Sequence, residues 1–230
     1  MAGKLYGVGV GPGDPELLTL KAVRLIHECE VIAVPGKAPR ESAAYKIAQS
    51  ACPGIEAKEL LGIHMPMTKD EAELSKNHEE GARLLENALK QGKDVAFLTL
   101  GDPCIYSTYL YLHQRILEKG HEAELVSGVP SFCAASARAG LGLVKGGEQL
   151  HVIPASYHTE EALKLPGTKI LMKTGKRLGK VKEQLKDRKD RVIMVENCGM
   201  PGERIYYGIS EMPDSAGYYT VLFVKEDEKA

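Results

Sequence analysis

Short apolar runs alternate with longer amphipathic stretches along the first half of the chain. Leu5 to Val10, Val31 to Val34 and Val95 to Leu100 are near-continuous apolar runs of strand length and read as buried parallel strands. Each gives way to glycine or proline. Between the first two, Leu17 to Cys29 predicts a helix, with Leu17, Leu20, Val23 and Leu25 among its apolar residues. Ser42 to Ala51 predicts a second, smaller helix. Thr68-Lys69-Asp70-Glu71 has capping-box spacing and opens a long amphipathic helix to about Gln91, which Gly92 stops. A helix from about Thr108 to Lys119 ends at Gly120. Strands alternating with helices in this way predict an α/β unit around a parallel sheet.

The second half changes character. Glu122 to Val126 predicts a strand that ends at Ser127-Gly128-Val129-Pro130-Ser131. The small residues of Phe132-Cys133-Ala134-Ala135-Ser136-Ala137 predict a helix packed closely against its neighbours. Leu150 to Ile153, Lys169 to Met172 and Val192 to Val195 read as further strands. Glu203 to Tyr207 and Tyr218 to Val224 follow with no long helix between them, which predicts an antiparallel or mixed sheet. The organisation expected is therefore an N-terminal α/β domain over 1–120 and a C-terminal α/β domain with a mixed sheet over 121–230.

Composition narrows the function classes. The 230 residues are 43% hydrophobic and 27% charged, values of an ordinary globular protein. A net charge of −1 provides no global field toward nucleic acid or a membrane, so an anionic ligand must meet local basic clusters. The N-terminus lacks a signal-peptide pattern, and no apolar run approaches the ~20 residues that span a bilayer. Five scattered cysteines without a CxxC pair argue for reduced thiols in the cytoplasm, and the seven histidines form no HxxxH pair, so no metal site is expected.

Two turns carry the candidate chemistry. The first is Gly9-Val10-Gly11-Pro12-Gly13-Asp14-Pro15-Glu16, the second Gly101-Asp102-Pro103-Cys104-Ile105-Tyr106-Ser107-Thr108. Each follows a predicted parallel strand, at the carboxyl end where open α/β sheets bind ligands. The first is not a dinucleotide fingerprint, because Pro12 or Asp14 stands where the third glycine belongs and the prolines interrupt direct entry into a helix. No Gly-Lys-Ser/Thr follows, which excludes a Walker A loop. In the second turn Ser107 or Thr108 suits a helix cap. Asp102 is less easily explained, because Pro103 has no N–H to offer it.

These turns, together with Gly128-Val129-Pro130-Ser131, resemble those of the tetrapyrrole (corrin/porphyrin) methyltransferase family, in the same order and over essentially the whole chain. The stretch from Gly101 to Tyr109, and Gly146-Gly147-Glu148-Gln149-Leu150 leading into Ile153-Pro154-Ala155, are similar to its branch that methylates C20 of precorrin-2 or cobalt-precorrin-2 in cobalamin biosynthesis. The resemblance implies the tetrapyrrole methylase fold, two α/β domains with a cleft between them, in a homodimer. It implies S-adenosylmethionine as cofactor and a tetrapyrrole acceptor, with or without cobalt. Carried over by residue, Pro12, Gly101, Asp102 and Pro103 line the cofactor site, with Ser107 and Thr108 in the same turn. Ile105 and Tyr106 pack beside it, Ser131 and Phe132 contact it, Met172 abuts the adenosyl group, and Tyr207 and Gly208 close around the adenine. The chain departs from a common form of the family in having Ser127 before Gly128-Val129-Pro130, where proline-glycine is frequent.

The acceptor implied by the resemblance carries many carboxylates, which Arg40, Lys173 and Lys176, with Lys37 and Arg177, are expected to meet. Tyr111 and His113 are expected beside it, although their spacing also suits plain helix packing. Methylation of a meso carbon releases a proton, for which Asp102 is the first candidate acceptor and Asp14 the second; Asp102 as an ordering residue of the loop is the competing reading. The alternatives are a same-fold methyltransferase acting at another tetrapyrrole position or on RNA, and a dinucleotide-binding oxidoreductase. The absence of a basic tail argues against RNA. No nucleic-acid or membrane partner is expected.

Overall fold

The computed structural model describes residues 2–155 and 159–226, and of Lys176 the backbone alone. The chain divides into two compact units, Met1–Pro130 and Ser131–Ala230. The boundary expected after residue 120 thus lies further on. The predicted strand there, β5 (Ala123–Val126), pairs in parallel with β1 (Leu5–Gly9) and so completes the first sheet.

The first unit is built on a five-stranded parallel sheet. Its other strands are β2 (Val31–Pro35), β3 (Glu59–Ile63) and β4 (Val95–Thr99), in the spatial order β3-β2-β4-β1-β5. The helices are α1 (Leu20–Glu28), α2 (Ala43–Ala51), α3 (Glu71–Lys90) and α4 (Tyr109–Glu118). α3 and α4 cover one face, where Leu85, Leu89, Leu112 and Ile116 join Leu5, Val31, Ile63, Val95 and Phe97 in one core. Alternate strand residues Val8, Ile32, Val34, Ala96 and Leu98 are buried toward the other face, which α1 and α2 pack against. Full burial on both faces explains the unbroken apolar runs.

Several helix starts differ from expectation. Pro15–Leu17 forms a 3-10 turn capped by Asp14, whose side chain accepts from the Glu16 amide, and α1 begins only after Thr19, whose hydroxyl accepts from the Ala22 amide at 3.2 Å. At α3 the cap is Asp70, accepting from the Ala72 and Glu73 amides, while Thr68 takes the amide of Asp70 itself. A carboxylate outcompetes the expected threonine here, with the added advantage of negative charge at a helix N-terminus.

The second unit holds a mixed sheet in the order β6-β7-β10-β8-β9. Its strands are β6 (Leu150–Pro154), β7 (Thr168–Met172), β8 (Arg191–Glu196), β9 (Arg204–Tyr207) and β10 (Thr220–Lys225). β6 and β7 are parallel, whereas β10 runs antiparallel to both β7 and β8, and β8 antiparallel to β9. α5 (Ser131–Arg138), α6 (Thr159–Ala162) and α7 (Leu178–Leu185) complete the unit. Leu178, Val181 and Leu185 of α7 pack on Leu171, Met194 and Leu222 of the sheet.

Candidate functional site

All five strands of the first sheet are parallel, so their carboxyl ends share one edge. At that edge the chain leaves β1 toward β2 on one side and leaves β4 toward β5 on the other. Neighbouring β1 and β4 therefore form a switch point, the place where such sheets bind ligands. Both candidate turns sit there, and they are bonded directly to each other. Gly101 N–H donates to the Gly11 carbonyl at 2.8 Å, and Gly11 N–H to the Gly101 carbonyl at 3.3 Å.

A third turn joins them from β5. A β-carbon on Gly128 would lie 2.2 Å from the Gly101 carbonyl oxygen, and one on Gly9 would lie 2.6 Å from the same atom. Only glycine permits this approach of three backbones. Asp102 fastens the junction: one carboxylate oxygen accepts the Cys104 amide at 2.7 Å and the other accepts the Gly128 amide at 3.0 Å. The partner that Pro103 denies it is thus supplied by the following residue and by the β5 turn, so Asp102 is well bonded rather than short of partners. Asp14 is the cap of the 3-10 turn, with Oδ1 2.9 Å from the Glu16 amide.

The rest of the second turn is fixed by short-range bonds. Ser107 Oγ lies 3.0 Å from Thr99 Oγ1 and accepts from the Tyr109 amide at 3.3 Å, so it fills the capping role at the start of α4. Thr108, the formal cap residue, makes no capping bond; its hydroxyl is directed to Met65 Sδ at 3.7 Å. Pro12 and Pro103 are buried, Ile105 half-buried, and Tyr106 exposed with a φ of +50°. A side chain at positive φ is costly outside glycine and marks a locally imposed conformation. Desolvation of the Cys104 thiol, and then the Asp102 charge, push its pKa up. A raised pKa disfavours the thiolate, which is the nucleophilic form.

In the second unit Phe132 and Met172 are buried, Ser131 opens α5, and Tyr207 is exposed ahead of Gly208 at φ +97°. Lys173 follows β7 with a φ of +60° and Asn197 follows β8 with a φ of +52°. Among the described residues, the non-glycine positions with positive φ are Tyr106, in the turn between β4 and α4, and Lys173 and Asn197, each directly following a strand. Asn tolerates the left-handed region, but nothing in the sequence pattern marks Lys173 as left-handed.

Other expected substrate residues are placed differently. Tyr111 stacks on His78 of α3, with ring centroids 4.7 Å apart and planes at 9°. His113 Nδ1 lies 3.1 Å from the Tyr109 hydroxyl, and the Tyr109 ring fills the space beside Gly7. Tyr111 thus lies against α3 while remaining exposed, and His113 is half-buried beside Tyr109. Arg40 donates to the Glu56 carbonyl at 3.3 Å, at the carboxyl end of β2 with exposed Lys37. The Lys176 side chain lies outside the described residues. Among those residues, no group of three His, Cys, Asp or Glu is arranged to hold a metal, and no helix is long and apolar enough to cross a membrane.

The sequence profile of the family described as tetrapyrrole (corrin/porphyrin) methylases matches residues 4–212. A probable cobalt-precorrin-2 C(20)-methyltransferase of Methanocaldococcus jannaschii is 38% identical over 89% of this chain and 87% of its own. The cobalt-precorrin-2 C(20)-methyltransferase of Salmonella typhimurium is 32% identical over 98% of both chains. A precorrin-2 C(20)-methyltransferase of a Sinorhizobium species is 30% identical over 96% of this chain and 95% of its own. Among solved structures, a cobalt-precorrin-4 methyltransferase has the same fold, with a TM-score of 0.76 at 20% identity over 96% of this chain and 94% of that one. So does a uroporphyrin-III C-methyltransferase from Thermus thermophilus in complex with S-adenosylhomocysteine, with a TM-score of 0.74 at 24% identity over 97% and 98%.

Proposed function

The chain belongs to the tetrapyrrole (corrin/porphyrin) methylase family, and from that premise we propose that it methylates the C20 meso carbon of precorrin-2 or cobalt-precorrin-2 in cobalamin biosynthesis. The observation that carries this reading is the set of near-full-length relatives named for a single acceptor position. The protein is a methyltransferase, and S-adenosylmethionine supplies the methyl group from its sulfonium.

The residues of the site suit that cofactor. The carboxyl edge of a parallel sheet offers backbone carbonyl oxygens, and Asp102 adds a carboxylate, both of which favour a cation. The raised pKa of Cys104, the thiol in the same turn, disfavours the thiolate that would compete for the methyl group. We assign cofactor contacts to Pro12, Gly101, Asp102, Pro103, Ile105 and Tyr106 in the first unit, and to Ser131, Phe132, Met172, Tyr207 and Gly208 in the second. Ser107 and Thr108 shape the turn from which Tyr106 projects.

Methyl transfer to carbon is an in-line displacement, so the task of the protein is orientation. The three bonded turns provide a rigid floor for it. Asp102, with both oxygens engaged, acts as a positioning residue for the Gly101 and Gly128 turns. Asp14 has one oxygen engaged as a cap and is retained as the candidate acceptor for the proton released from C20. The enzyme works as a cytoplasmic homodimer, a reading supported by free cysteines and by the prevalence of twofold symmetry among enzymes of this size. Calorimetry with S-adenosylhomocysteine tests the cofactor assignment: saturable binding is expected, and NAD binding in its place would overturn it.

A further inference from the structure

The strain at Lys173 has a visible setting. Its amide donates to the Thr220 carbonyl at 3.2 Å, which fixes the backbone against the first residue of β10. Its ammonium lies over the Tyr218 ring, 5.7 Å from the centroid. The ring of Tyr219 meets that of Tyr218 nearly edge-on, with centroids 5.4 Å apart, and both tyrosines are exposed. On the far side of β10, left-handed Asn197 donates its amide to the Tyr219 carbonyl at 2.9 Å. The backbone at Tyr219 and Thr220 is therefore held from both neighbouring strand ends, by Asn197 on one side and by the strained Lys173 on the other. It sits beside Met172, the residue of β7 that pairs with Val221.

Large aromatic surface is ordinarily buried, and a non-glycine residue at positive φ persists only where the surroundings impose it. Here the two coincide with a cation held over an aromatic face. We propose that Lys173 and Tyr218 form the second unit's recognition element for the acceptor. The Tyr218 ring packs, on the side away from the ammonium, against the conjugated part of the macrocycle, and the Lys173 ammonium bonds a carboxylate at its periphery. This pair selects acidic macrocycles over neutral ones. It rests on the tetrapyrrole reading given above and adds Tyr218 and a division of labour to it.

Steady-state kinetics of the full chain with precorrin-2 test the proposal. Lys173→Met and Tyr218→Leu should each raise the acceptor KM about tenfold or more, with kcat and the S-adenosylmethionine KM within about twofold of the parent. Tyr218→Phe, which keeps the ring face, should restore most of the affinity lost in Tyr218→Leu. Lys173→Gly removes the charge while relieving the backbone, so it should match Lys173→Met in acceptor KM and melt no lower than the parent. An unchanged acceptor KM in folded Lys173→Met and Tyr218→Leu, or a loss confined to the cofactor KM or to melting temperature, would overturn it. A parent enzyme that methylates no tetrapyrrole overturns the underlying reading and this inference together; an active parent with unaffected variants overturns this inference alone.

Discussion

The Asp102 carboxylate accepts the Gly128 amide at 3.0 Å, a bond between the β4 turn and the β5 turn that spans 26 residues of sequence. Its other oxygen holds the Cys104 amide at 2.7 Å. Two N–H donors thus require two acceptors. Asp102→Asn offers one acceptor and one donor, so one amide would face an N–H group, at a cost of about 1–3 kcal/mol if left unsatisfied. We expect a lower melting temperature and S-adenosylhomocysteine affinity weakened about tenfold or more. Single-turnover methylation at saturating cofactor should stay within about tenfold of the parent. A rate lower by about 10²–10⁴-fold with intact cofactor affinity would instead make Asp102 the proton acceptor.

Gly9 and Gly128 should tolerate no side chain. The Cβ of Gly128→Ala would fall 2.2 Å from the Gly101 carbonyl oxygen and that of Gly9→Ala 2.6 Å from it, and a backbone atom cannot swing aside. Each alanine variant should lose cofactor binding by calorimetry and melt lower than the parent. Gly142→Ala is the control: a β-carbon there meets nothing within 4 Å, and it should leave both properties unchanged.

Acid should loosen the first unit before its carboxylates titrate. Burial lowers the pKa of His78, with a further contribution from the Arg115 charge, and burial likewise lowers that of His113. The unfolded chain therefore binds more protons at these sites than the folded one. Their contribution is complete above the unfolded histidine pKa of about 6.5 and is lost as pH falls below it, through the depressed folded values. Glu124 acts in a lower window. Hydrogen bonds from Lys21 and then Lys4 bring its pKa down to about 2, so its share is lost only as pH falls from the unfolded carboxylate range toward that value. Melting temperature should decline between about pH 6.5 and 5, and His113→Gln should flatten that decline. A flat profile in the parent would contradict the lowering of these two histidine pKa values.

Dimerisation follows from the family reading and is checked by light scattering at micromolar concentration. A mass near twice the 25.0 kDa of the chain is expected, and a monomer mass would contradict it.

Much of this arrangement was legible in the sequence because its signals are local. Val95 to Leu100 followed by Gly101-Asp102-Pro103 reads as a strand and a ligand-bearing turn without reference to anything else. Contacts across the chain were not legible. The strand before Ser127 reads in sequence as the start of the second domain, because only its pairing with β1 shows where it belongs. β3, an edge strand with Gly62 in it and little alternation, gave no recognisable pattern. The partners of Asp102 lie at Cys104 and across the sheet edge at Gly128, so its apparent lack of partners beside Pro103 misled. The left-handed backbone of Lys173 follows from how β7 and β10 meet, which no residue type at that position announces.

The central claim is methyl transfer to one carbon of one class of acceptor. The most direct measurement is turnover of the purified chain with S-adenosylmethionine carrying a ¹³C-labelled methyl group, against precorrin-2 and cobalt-precorrin-2 side by side, with the labelled carbon located by NMR. The account predicts one new methyl group at C20 of at least one of the two acceptors, with stoichiometric S-adenosylhomocysteine. Methylation at any other position, or cofactor binding without transfer to either acceptor, would contradict it.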